Sequence, residues 1–203
     1  MRGFGNAPAE PLWAISTSTC SAAETRALGG ALAGVTRPGD LLLLVGMLGT
    51  GKTVLAQGFA KALGVVEAVT SPTFVLARQY SFPATPQGVT ELAHADLYRL
   101  DSVLEITELG LGELLDDGAV ALIEWGDVAL PSLGGDALAV VLSRPDDPPQ
   151  TPVPDTSSTG PRTSLGRDDD LGTDAETRLV VVCGFGASWG PREAEVVASL
   201  DRL

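Results

Sequence analysis

Eight consecutive residues concentrate the chemistry of this chain. Gly46-Met47-Leu48-Gly49-Thr50-Gly51-Lys52-Thr53 fits the pattern GxxxxGK(S/T), a spacing suited to cradling phosphate. Glycine reaches backbone conformations closed to other residues and lets the chain come close to oxygen atoms. Successive N–H groups can then face inward as an anion nest. A helix opening at the loop turns its positive dipole end on the same point. Gly46, Leu48, Gly49, Thr50, Gly51, Lys52 and Thr53 are therefore expected to bind the phosphates of a nucleotide. Lys52 adds a charge near the β- and γ-phosphates, where it would act in catalysis, and the Thr53 hydroxyl is a suitable hard ligand for Mg²⁺.

A loop of this kind needs an acid on a neighbouring strand to hold the metal through water. Two stretches offer one. Ala119-Val120-Ala121-Leu122-Ile123-Glu124 is an apolar run ending in a carboxylate, and His94-Ala95-Asp96-Leu97-Tyr98-Arg99 carries Asp96 at a strand end. Both are candidates for holding the metal. Asp96 or Glu124 would orient an attacking water, and the sequence leaves both open. The plain alternative for each is a solvated strand-end acid. Thr73 falls between the loop helix and these acids, so its hydroxyl could report a γ-phosphate as switch loops do, against a loop threonine beside a turn proline. Arg178, at the start of a late strand, is assigned a nucleotide contact, whereas solvated roles are favoured for Arg78 and Arg99. His94 is the single histidine. It cannot make a metal site or a triad alone and reads as packed or solvated.

These residues need a scaffold. With 203 residues, 44% of them hydrophobic, the chain suffices for one α/β domain over 1–203. Leu41 to Val45 is a run of five aliphatic residues bounded by turn residues, the mark of a central parallel strand buried on both faces. Helices are expected over Ala22–Ala33, with Ser21 and Glu24 as a capping box, over Lys52–Leu63 ending at Gly64, and over Val103–Leu115. Further strands are expected over Leu12–Thr17, Val69–Tyr80, Thr90–Tyr98, Ala119–Ile123, Ala137–Leu142 and Leu179–Cys183. Pro191 should open a short last helix. The fold class is then a three-layer P-loop NTPase fold with a mainly parallel central sheet.

Residues 145–177 differ from the rest. They hold six prolines, eight acids and two bases, with almost no large apolar side chains. Such a segment cannot bury enough surface to offset its ordering entropy and reads as a disordered acidic insert decorating a hairpin. The net charge of −13 argues against a broad basic face for nucleic acid, so any work on RNA should run through a partner. Cys20 and Cys183 form no CxxC pair and read as reduced, largely buried thiols. No apolar run approaches the length of a membrane span, and residues 1–10 lack a signal-peptide core; a cytoplasmic protein is expected.

Taken together, the loop, Ser71-Pro72-Thr73-Phe74, His94-Ala95-Asp96-Leu97-Tyr98-Arg99-Leu100 and Ile123-Glu124-Trp125 resemble the TsaE family, also called YjeE, in order and spacing. The resemblance implies a small bacterial ATPase that works with TsaB and TsaD in making threonylcarbamoyladenosine at position 37 of tRNA. TsaD would perform the transfer, and the ATPase would support repeated turnover. It further implies that Thr53 and Glu124 hold Mg²⁺, that Asp96 is needed for hydrolysis and that Trp125 lies beside the site, the alternative being a core aromatic. Met47 departs from the family, which usually has Asp there, and the acidic insert is a second departure. Two rivals use the same cradle. A small-molecule kinase would want an arginine-rich lid, but the lid-sized segment here is acidic, with only Arg162 and Arg167. A nucleotide-gated binding module would hydrolyse slowly and only to reset itself. A guanine reader would need an NKxD motif, and the sole asparagine is Asn6, so adenine is expected and the ligands are ATP and ADP.

Overall fold

The computed structural model describes residues 10–70, 76–98, 108–126, 135–148 and 177–203. Its centre is strand β2, Leu41–Val45, whose five residues are all buried. Only a strand covered on both faces can accommodate an unbroken aliphatic run. The chain reaches it through an edge strand, β1 (Trp13–Thr19), and helix α1 (Ala22–Ala33). Ser21 caps α1 by accepting from the Glu24 N–H at 3.1 Å, while the Glu24 carboxylate accepts from the Cys20 N–H at 2.8 Å. The box is thus closed one residue further back than the usual N-cap N–H. Helix α2 (Lys52–Leu63) follows β2 and stops at Gly64, whose φ of 103° suits glycine.

Strands β3 (Ala77–Ser81) and β4 (Glu91–Asp96) form an antiparallel pair. A short helix, α3 (Leu111–Asp116), leads into β5 (Val120–Glu124). Strands β6 (Ala137–Ser143) and β7 (Arg178–Phe185) pair antiparallel across the acidic segment. Helix α4 (Gly186–Trp189), a 3-10 turn (Gly190–Arg192) and α5 (Glu193–Leu200) complete the chain. The seven-stranded sheet runs β1-β7-β6-β2-β5-β4-β3. The four middle strands are parallel and the outer pairings antiparallel.

Apolar side chains cover both faces. Leu28 and Leu32 of α1, Leu55 and Phe59 of α2 and Val196 of α5 pack on one, and Leu111 and Leu115 of α3 with Phe185 on the other. Helices α1 and α2 approach backbone to backbone. A methyl group on Gly29 would collide with the Leu55 carbonyl, and one on Gly58 with the Arg26 carbonyl. This contact fixes the helix whose N-terminus opens at the glycine loop.

Several expectations are corrected. The first strand starts and ends later than Leu12–Thr17. Residues 68–70 are not strand, and β3 begins only at Ala77. Pro191 lies in the 3-10 turn, and the helix begins at Glu193. Of the helix expected over Val103–Leu115, Glu108 and Leu111–Leu115 are helical, with a turn at Leu109 and Gly110 between them; residues 99–107 lie outside those described, as do Thr73 and 149–176 of the acidic segment. Cys183 is buried, which pushes its thiol pKa up, but Cys20 is exposed, because it sits ahead of the α1 cap rather than under it.

At the N-terminal edge of the parallel strands lies a buried ion pair. Arg192 Nη1 donates to both Asp40 oxygens, at 3.1 and 2.9 Å, and Nη2 donates to the Val35 carbonyl. The guanidinium lies 3.7 Å from the Trp189 ring centroid. Burial raises the Asp40 carboxyl above its ordinary 3.8, against the pull of the Arg37 backbone N–H and of Arg192.

Candidate nucleotide and metal site

The glycine loop begins where β2 leaves the sheet. Gly46 has φ 149°, and a Cβ there would run into the Leu142 carbonyl and stand 2.8 Å from Thr50 Oγ1. Gly51 caps α2 at φ 104° with no side-chain hydrogen bond, so backbone groups alone present the helix start. Inside the turn, Thr50 Oγ1 donates to the Met47 carbonyl at 2.9 Å. The buried Lys52 Nζ donates to the carbonyls of Gly46 at 2.7 Å and Met47 at 3.0 Å. It also lies 3.9 Å from the centroid of the Trp125 ring, a cation–π distance. The Met47 and Leu48 side chains are exposed.

Trp125 is the only non-glycine among the described residues with positive φ, at 58°. A bulky side chain rarely adopts that region, and such strain, of order 1–3 kcal/mol, persists where surroundings enforce it. Here Lys52 on the ring and Tyr98 at 4.9 Å between centroids hold it.

Both candidate acids stand at one level of the sheet. In the β4–β5 register Asp96 faces Glu124, and in the β2–β5 register Leu44 faces Glu124. Parallel strands therefore deliver both carboxylates to the edge where the loop begins. Glu124 is buried; its Oε2 accepts from Thr53 Oγ1 at 2.8 Å, and its Oε1 lies 3.1 Å from His94 Nε2. Asp96 is also buried, and its Oδ1 accepts from the Tyr98 N–H at 3.0 Å. Arg178 Nε donates to the Thr50 carbonyl at 3.1 Å, so this side chain meets the loop. Arg144 Nη2 reaches the Gly49 carbonyl at 3.4 Å.

A hydroxyl and a carboxylate this close are hard oxygen donors of the sort Mg²⁺ prefers, since that ion takes one or two carboxylates with phosphate oxygens and water. The residues present therefore fit the metal expected from the sequence.

Residues 19–148 match the family model described as Threonylcarbamoyl adenosine biosynthesis protein TsaE. The chain belongs to the TsaE family. Curated members bear it out. The tRNA threonylcarbamoyladenosine biosynthesis protein TsaE of Streptomyces coelicolor is 37% identical over 174 residues, covering 85% of this chain and 99% of that protein. Its namesake in Bacillus subtilis is 37% identical over 129 residues, 64% of this chain and 77% of its own length. That of Mycobacterium tuberculosis is 42% identical over 127 residues, 60% and 74%. The crystal structure of Bacillus subtilis YdiB superposes with a TM-score of 0.61 at 26% identity, covering 94% of this chain and 95% of the other.

Of the residues singled out in this TsaE chain, Lys52, Thr53 and Glu124 gather at the loop, with Asp96 beside them and Arg178 bonded to the loop. Three neighbours went unflagged: Arg144, Tyr98 and, above all, His94, assigned only a packed or solvated role. The signal for His94 was present. It precedes Asp96 by two residues in a strand, and that period places both side chains on one face.

Proposed function

We propose that the chain is a Mg²⁺-dependent P-loop ATPase of threonylcarbamoyladenosine synthesis on tRNA, acting with a TsaB–TsaD-type complex and meeting tRNA through those partners. The relatives' names support the pathway. The observation that carries the chemistry is the 2.8 Å bond from Thr53, second residue of α2, to the strand-end Glu124. It joins the phosphate-binding helix start to an acid that would face the metal.

The roles follow from placement. Backbone N–H groups from Gly49 to Thr53 would take the phosphate oxygens, together with those of Gly46 and Leu48, and Lys52 would stabilise charge on the transferring phosphoryl group. Thr53 and Glu124 would hold Mg²⁺, which when bound neutralises phosphate charge. Asp96, one strand out at the same level, is assigned the attacking water, because Glu124 is already aimed at Thr53. Water attacks the terminal phosphorus in line, and ADP and phosphate leave. Arg178, held at the loop by its bond to the Thr50 carbonyl, would contribute a nucleotide contact there. Met47 faces solvent, so the family's carboxylate is missing without disturbing the loop N–H groups.

We retain the single-domain reading and a cytoplasmic setting; among the described residues no helix is long and apolar enough to cross a membrane. The chain leaves β6 toward the acidic segment through a turn in which Arg144 and Asp147 bond each other.

The test is ATP hydrolysis by the purified chain, alone and with a TsaB–TsaD complex from the same source. Slow turnover that rises several-fold with the complex is expected, and also fits a nucleotide-gated module. No stimulation and no ternary complex would turn the reading to a small-molecule kinase and its phosphate acceptor.

A further inference from the structure

We propose that His94 is a positioning residue that aims the Glu124 carboxylate at Thr53 and the metal position. The inference rests on the magnesium reading of the site and adds a residue to it. His94 sits on β4, paired in register with Leu122, so its side chain reaches Glu124 two residues along β5. It is fully buried, and its Nε2 lies 3.1 Å from Glu124 Oε1. The other oxygen, Oε2, takes the Thr53 hydroxyl. Among the described residues each oxygen of this buried carboxylate thus has a protein partner, and rotation of the group would break both contacts.

The proton on His94 can be placed by elimination. A carboxylate only accepts, so Nε2 must donate. Nδ1 is buried and has no hydrogen-bond partner among the described residues. A buried N–H without an acceptor costs more than a ring nitrogen left without a donor. The ring therefore carries its proton on Nε2. A histidine buried only for packing has no need of this arrangement; leucine would fill the space without stranding a ring nitrogen. Partners behind a metal ligand typically govern metal affinity by ten- to a hundredfold.

The experiment uses the full chain without a histidine tag, so that His94 is its only histidine. Mg²⁺ is titrated against binding of a fluorescent ADP, for wild type, His94→Leu and His94→Gln, with melting temperatures recorded alongside. His94→Leu should raise the Mg²⁺ midpoint about tenfold, while magnesium-free nucleotide affinity stays within about twofold of wild type. His94→Gln, whose amide N–H can replace the donor, should recover most of the shift. In nitrogen-15 histidine spectra the wild-type ring should show the Nε2–H tautomer, with a slowly exchanging Nε2 proton that disappears in Glu124→Ala. A folded His94→Leu with an unchanged Mg²⁺ midpoint would overturn the assignment. So would a folded His94→Gln as defective as the leucine variant, or a proton found on Nδ1. If His94→Leu does not fold, the glutamine variant and the spectra decide. Wild-type binding indifferent to Mg²⁺ would instead overturn the magnesium reading itself, whatever the tautomer.

Discussion

Two buried carboxylates stand at opposite ends of β2, and they are partnered differently. Asp40 precedes the strand, and Glu124 lies beside its far end. At each end a cation rests on a tryptophan: Arg192 at 3.7 Å from Trp189, Lys52 at 3.9 Å from Trp125. Asp40 receives a guanidinium on both oxygens, a partner that never loses its charge. Glu124 receives a hydroxyl and an imidazole, donors with no obligate charge. The first carboxylate is neutralised within the protein. The second is oriented but not neutralised by those two contacts, an arrangement that favours an added cation. It stands at the carboxyl ends of parallel strands, where open α/β sheets place their ligands. Buried charge therefore says little about function until its counter-charge is found.

The largest effect should come from breaking the closed end. Asp40→Ala leaves the Arg192 guanidinium buried beside Trp189 without its carboxylate, and the unfolding free energy should fall by about 3–5 kcal/mol. Burial works against ionised Asp40, so the pair itself is a poor source of net stability. The double change Asp40→Leu with Arg192→Met should then recover much of the loss in a urea melt. Nucleotide affinity of the folded fraction should not move. A stability change under about 1 kcal/mol would mean that water reaches this end and that the contrast is false.

Next in size is Lys52→Ala at the open end. It removes the cation from the glycine loop, and nucleotide affinity should drop on the order of a hundredfold, as for loss of a strong charge-assisted contact. The melting temperature should change far less than in Asp40→Ala, since Nζ bonds loop carbonyls near solvent-exposed Met47 and Leu48 rather than a buried carboxylate pair. Full binding in a fluorescent-nucleotide titration would remove the loop from the phosphate role.

What could be read from sequence follows the reach of each interaction. Strand β2 and helices α1 and α2 match their expected limits residue for residue, because an aliphatic run between Asp40 and Gly46, a serine cap and a closing glycine are local signals. The late start of β3 was missed, since Thr, Val and Phe suggest strand from Val69 without showing where the partner β4 ends. At the site, Thr53 and Glu124 were picked out by residue type and strand position. His94 was discounted because a lone histidine makes no metal site, although its contact is with an acid on the neighbouring strand. The Asp40–Arg192 pair spans 152 positions, and neither residue lies in a pattern that points to the other.

Glu124→Ala should give a smaller stability loss than Asp40→Ala and the most selective functional one. Removing the carboxylate strands the His94 N–H, a buried donor whose loss of partner costs about 1–3 kcal/mol. Thr53, half-buried at the start of α2, can turn its hydroxyl to water. No fixed charge is left uncompensated, which is why the cost should stay below that of Asp40→Ala. Magnesium should report the change instead. The Mg²⁺ concentration that half-saturates nucleotide binding should rise about tenfold or more, while magnesium-free binding through the loop holds. If Glu124→Ala destabilises as strongly as Asp40→Ala and leaves the magnesium titration unchanged, Glu124 is a structural acid like Asp40. The two ends of β2 would then differ in partners but not in kind.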